Sequence, residues 1–138
     1  MIAAFLIFLA SMMHGMGNPS QKAKDSTLKA NLVMLRSALE TYQADCGGYP
    51  IDLNGLTTKP KQMYVNGVLT PITTNNPWRG PYLNAQGGIG GGALPRNPYL
   101  PKDDADVTHH WTYDGKKGTV IFPAPVGKDS GGELYSNY

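Results

Sequence analysis

Few side chains in this 138-residue chain are of a type and spacing that could do chemistry. Asp103, Asp104 and Asp106 run up to His109 and His110. The two histidines are of a type that binds transition metals. The stretch His110-Trp-Thr-Tyr113 has strand character, however, and adjacent strand residues project to opposite faces. His109 and His110 are therefore not expected to share an ion, and the three aspartates read as a charged loop. A second set, Asp129, Ser130 and Glu133, sits in a glycine-rich tail. Calcium takes six to eight hard oxygens, and two acids plus backbone carbonyls supply several of them. Asp129 and Glu133 are the expected ligands if Ca2+ binds; the competing reading is a solvated tail. His14 has no nameable partner. Cys46 is the one cysteine, so no intramolecular disulfide can form. It is either a small buried residue or an intermolecular link.

No catalytic residue emerges. Gly-x-Ser-x-Gly, His-Glu-x-x-His and a phosphate-binding loop are all missing. Residues 87–92 are nearly all glycine but lack the lysine and the strand–loop–helix frame of a P-loop. A net charge of +2, with 16% charged residues and no basic stripe, disfavours nucleic acid as a partner. The expectation is a protein that is not an enzyme.

The elements that position these residues fall into two kinds. Glycine (17) and proline (11) lie almost entirely after Cys46, so the first third differs in structure from the rest. Residues 1–13 are apolar on every face, and no charge appears before Lys22. As a helix they cover roughly 20 Å, short of a ~30 Å hydrocarbon core. Ile2, Phe5, Leu6, Phe8, Leu9, Met12 and Met13 are expected to pack in a membrane or against copies of themselves. Gly15, Gly17 and Pro19 then interrupt the pattern and predict a kink.

From about 22 to 45 the pattern is an amphipathic helix. Leu28, Leu32, Leu35, Leu39 and Tyr42 recur at spacings of four, three, four and three. Asp25 or Ser26 could cap its start, Gly47 and Gly48 end it, and Pro50 forbids its resumption. Residues 51–69 hold scattered apolar side chains without a sustained period. The best strand pair is His110-Trp-Thr-Tyr113 with Thr119-Val-Ile-Phe122, joined by Asp114-Gly-Lys-Lys-Gly118. Trp78 and Trp111 are expected to pin loops onto the helix stripe. The fold class is α+β: a long N-terminal helix, apolar first and amphipathic second, against a small antiparallel sheet with Gly/Pro-rich loops. Residues 1–20 form the apolar segment with its kink, and residues 21–138 the globular domain.

This layout resembles the type IV pilin and pseudopilin superfamily, most closely the major pseudopilin of type II secretion. Asp45-Cys-Gly-Gly-Tyr-Pro50 resembles that family's Asp-x-Gly-x-Tyr-Pro helix exit. Asn76-Pro-Trp-Arg-Gly-Pro-Tyr82 resembles its Asp-Pro-Trp-Gly-x-Pro-Tyr signature. Gly127-Lys-Asp129, Gly131-Gly-Glu133 and Asn137-Tyr138 resemble its calcium-loop ending, without the second aspartate. The resemblance implies a homopolymeric filament subunit, either a secretion piston or an adhesive surface pilus, assembled through the N-terminal apolar helix. The partners implied are an inner-membrane assembly platform and a prepilin peptidase. The family's Phe-Thr-Leu-x-Glu start is not in the sequence: either the start shown is incomplete or the subunit has lost its N-terminal hook, and a second subunit supplying that motif is one further partner the resemblance allows. Localisation would be the inner membrane before assembly and a periplasmic or extracellular filament afterwards. The alternative is a monomeric secreted or periplasmic binding domain whose N-terminal signal is cleaved near residues 15–20.

Overall fold

In the computed structural model the described residues are 19–83, 93–104 and 106–138. Helix α1, Pro19–Cys46, is 28 residues and hence about 42 Å long. Leu28, Leu32, Leu35, Ala38, Leu39, Tyr42 and Cys46 form its buried stripe. Each large apolar side chain so buried contributes roughly 1.5–3 kcal/mol. The opposite side carries exposed Lys22, Lys24, Ser37, Glu40 and Gln43. Asp25 and Ser26 lie inside α1 instead of capping it, and Asp25 is buried.

The described helix does not supply the filament core expected from the sequence. The filament reading required an apolar helix as a polymerisation core, whereas α1 turns one apolar stripe inward and a charged face outward. Among the described residues no helix is long and apolar enough to cross a membrane. Ile2, Phe5, Leu6, Phe8, Leu9, Met12 and Met13, with Gly15 and Gly17 of the expected kink, lie outside the described residues. Pro19 opens α1, a position that tolerates a missing N–H.

The helix stops where glycine is required. Gly47 has a φ of +78°, and its N–H closes onto the Gln43 carbonyl at 2.8 Å. A Cβ on Gly48 would stand 2.4 Å from the Tyr64 carbonyl oxygen. That close approach lets β1 (Tyr49–Pro50) join β2 (Gln62–Val65) immediately after the helix. β2 pairs with β3 (Val68–Pro71), giving an antiparallel sheet of order β1-β2-β3. Asn66-Gly67 makes the hairpin, both at positive φ (49° and 77°), the backbone a two-residue type I′ turn demands. The sequence reading found no sustained period over 51–69, because β3 is largely exposed and its apolar residues do not alternate.

The second sheet is the expected strand pair, trimmed. β4 (Thr112–Asp114) pairs with β5 (Thr119–Ile121) in the register Thr112↔Ile121, Tyr113↔Val120, Asp114↔Thr119. His110 belongs instead to a 3-10 turn, Thr108–His110. Both sheets pack on α1, and Leu53, Leu56, Met63, Leu83, Trp111 and Val120 complete one core with the helix stripe.

Both tryptophans hold loops on the core. The indole of Trp78 donates to the Gly55 carbonyl at 2.9 Å, and that of Trp111 to the Pro95 carbonyl at 2.8 Å. Tyr82 follows Trp78 and donates its hydroxyl to Asp45 at 3.0 Å while accepting the Arg79 N–H at 2.9 Å. The proline–tryptophan loop and the helix exit, 37 residues apart, thus form one knot.

Candidate functional site

Two constellations of polar groups and one apolar cleft stand out from this frame. At the first, Asp104 meets both histidines. Its Oδ2 lies 2.5 Å from His109 Nε2 and 3.6 Å from His110 Nε2. The expectation that neighbouring histidines diverge fails because they occupy a 3-10 turn, where successive side chains are about 120° apart. The donor atoms of Asp104, His109 and His110 fall within 4.8 Å of one another. Tautomer chemistry argues against an ion there. The buried Asn97 N–H donates to His110 Nδ1 at 3.2 Å, so the ring proton resides on Nε2, the atom a metal would need. His110 Nε2 is buried without a hydrogen-bond partner, with Asp104 Oδ2 beyond hydrogen-bond distance at 3.6 Å, so the carboxylate is bonded to His109 alone. Burial opposes the charge on Asp104, but the hydrogen bond with His109 prevails and holds its pKa below the usual value. Asp103 is exposed; Asp106 accepts from the Thr108 N–H and hydroxyl.

The second constellation is built by α1 and the tail. Asp25 and Lys29, one turn apart, face residues 127–138. Asp25 Oδ1 accepts the hydroxyls of Tyr99 and Tyr135, and its Oδ2 accepts the Ser130 N–H at 2.8 Å. Burial disfavours its charge, yet the Tyr135, Tyr99 and Ser130 hydrogen bonds outweigh that and lower its pKa. Lys29 Nζ lies 3.2 Å from Asp129 Oδ2, 3.2 Å from Glu133 Oε2 and 4.2 Å from the centre of the Tyr138 ring. Asp129 Oδ2 also accepts the Tyr138 hydroxyl at 2.5 Å, and Oδ1 accepts the N–H groups of Gly131 and Glu133, each at 2.8 Å. The Tyr138 hydrogen bond leads the causes that bring the Asp129 pKa down to about 2. Burial, with the bond to Asp129, pushes Tyr138 up to about 12.

This donor set tests the expected calcium ligands and does not fit them. Asp129 and Glu133 are brought together, but the point between them belongs to the Lys29 ammonium. The loop carbonyls are also engaged: Gly127 O accepts Tyr135 N–H, Asp129 O accepts Gly132 N–H, and Glu133 O accepts Asp129 N–H. The conflict with calcium lies at the two carboxylates, which the Lys29 ammonium already draws together.

The third feature is a cleft of about 340 Å³ between α1 and the tail, lined by Arg36, Ile121, Phe122, Val126, Leu134 and Tyr138 among others. Val126 is 86% exposed, Ile121 56% and Leu134 45%, so its rim is unusually apolar. Arg36 supplies its polar wall, donating to the Tyr138 carbonyl at 2.8 Å. Cys46 is buried and its thiol is pushed up by that burial, which removes it as a nucleophile.

Sequence reasoning missed Asp25, Lys29, Tyr99 and Tyr135 as a unit. Asp25 pairs with Tyr99 and Tyr135 across 74 and 110 residues, and only the one-turn spacing of Asp25 and Lys29 hinted that they share a face. Compared with known proteins, the chain finds no match among curated proteins or solved structures. A family model does match residues 16–95: type II secretion system (T2SS), protein G. That stretch contains α1, the 45–50 exit, the three-stranded sheet and the Trp78–Tyr82 loop, leaving the β4–β5 pair and the tail outside it. On that match, over more than half its length, the chain belongs to the type II secretion system protein G family.

Proposed function

We propose that this chain is a monomeric binding domain of the protein G family, working on the periplasmic or extracellular side of the secretion apparatus after cleavage of its N-terminal signal. The family is a structural, non-catalytic component of that apparatus, which accords with the missing catalytic motifs. One observation carries the monomeric reading. The apolar stripe of α1 is covered wholly by the chain's own sheets and loops, so the domain closes its core without a second copy. In this reading the partner takes the apolar cleft beside Ile121, Val126 and Leu134, where aliphatic side chains stand in water next to the Arg36 cation.

The test is the intact mass and N-terminal sequence of the protein recovered from the periplasm and medium, with sedimentation velocity on the same sample. The expected result is a chain beginning within residues 15–21 that sediments as a monomer. A chain that keeps residues 1–13 and pellets as a polymer would overturn the reading.

A further inference from the structure

The loop 127–138 carries two carboxylates that converge on one point, and that point already holds a positive charge. The charge comes from α1: Lys29 lies 100 residues before Asp129 and reaches both acids at 3.2 Å. Its ammonium also sits over the Tyr138 ring, whose hydroxyl binds the same Asp129 oxygen. Much of the rest of the loop is bonded within itself, with Ser130 and Tyr135 reaching Asp25 and the Tyr138 carbonyl reaching Arg36. Asp129 Oδ1 gathers two backbone N–H groups, and the carbonyls of Gly127, Asp129 and Glu133 accept from within the loop.

We infer that the Lys29 ammonium is the resident cation of this loop, holding Asp129, Glu133 and Tyr138 in the shape a bound divalent ion would otherwise have to hold. A lysine ammonium and a calcium ion compete for one seat because both need the same carboxylate oxygens. The lysine has the advantage of being tethered. It is never diluted away, so the tail keeps one shape whether divalent ions outside the cell are scarce or plentiful. The Asp129 side chain is only 6% exposed, so taking the ammonium away leaves a nearly buried carboxylate seeking a replacement cation. Asp25 reinforces the arrangement without competing for Lys29, since both its oxygens are taken by Tyr99, Tyr135 and Ser130. The inference is independent of whether the domain acts as a monomer.

The experiment uses the full chain and calcium chloride itself. Thermal unfolding of the native protein is measured in EDTA and in millimolar calcium, with magnesium as the control for ionic strength, alongside calorimetric titration with calcium. The same series follows for Lys29→Met, which keeps the stem and loses the charge, and for Lys29→Arg. The native protein and Lys29→Arg should melt at the same temperature in all three conditions and give no binding heat. Lys29→Met should melt several degrees lower, with calcium restoring at least half of the loss and magnesium much less. A saturable rise in melting temperature of the native protein with calcium would overturn the inference. So would a Lys29→Met protein that calcium does not rescue, because Lys29 would then be a brace and no stand-in for an ion. Should Lys29→Met fail to fold, amide exchange at Gly131 and Glu133 of the native protein decides: unchanged protection with calcium supports the inference, and calcium-dependent protection refutes it.

Discussion

Two acidic clusters on this molecule recruit their cationic partners from opposite distances. Asp104 takes His109, five residues away, and nearly touches His110. Asp129 takes Lys29 from across the domain, 100 residues back. The first cluster ties a turn to itself and would exist in any fold that formed the turn. The second exists only when helix and tail are both in place, so it reports on the whole fold and helps to hold it. Charge pairs of similar geometry therefore carry different consequences, set by how much chain each one closes.

The comparison can be broken most forcefully at Asp25, beneath the long-range cluster. Asp25→Ala leaves the Tyr99 and Tyr135 hydroxyls and the Ser130 N–H without their acceptor, and should cost about 2 kcal/mol in denaturant unfolding. Next in size is the response to acid. Asp129 is held near 2 and Asp25 is lowered in the folded state, against about 3.9 for an aspartate in the unfolded chain. Their stabilisation is present above the unfolded value and is lost as pH falls from about 4 toward 2. Tyr138 works in the other direction: raised to about 12, it contributes stability below about 10 that disappears as pH climbs through 12. Melting temperature against pH at low salt should thus show a plateau bounded by these two windows, and Asp129→Asn should flatten its acid edge. At the local cluster, His109→Ala removes a ring that is 56% exposed and should move the melting temperature by only about a degree. A larger shift would mean that the Asp104 turn supports more of the fold than its short span implies. Smallest in stability is Ile121→Asp on the cleft rim, which should leave melting unchanged while weakening co-purification with the secretion apparatus.

What could be read from the sequence depended on whether the controlling interactions were periodic or distant. The leucine stripe, the glycine-terminated helix and the β4–β5 pair follow from local spacing and turn chemistry, and all are present. Asn66-Gly67 was an equally local hairpin signal, obscured because β3 has no buried face to enforce alternation. The histidines were legible as residues but not as neighbours, since strand and 3-10 turn place their rings differently. Asp129 and Glu133 read in sequence as calcium ligands or as a solvated tail; nothing near them revealed that a helix lysine lies 3.2 Å from both. The filament reading failed for a related reason. It rested on residues 1–13 and a resemblance, whereas the described helix spends its apolar surface inside its own domain.

The contact between Lys29 and the tail has a kinetic side as well. Joining groups 100 residues apart carries a larger chain-entropy cost than forming α1 or either hairpin, so it should be among the last contacts made as the chain folds. Until it closes, residues 127–138 lack the helix-borne partners Asp25, Lys29 and Arg36 that hold them in the folded domain. Amide exchange at Ser130, Gly131 and Glu133 during refolding therefore serves as a clock on that closure, since their N–H groups are bonded in the folded domain.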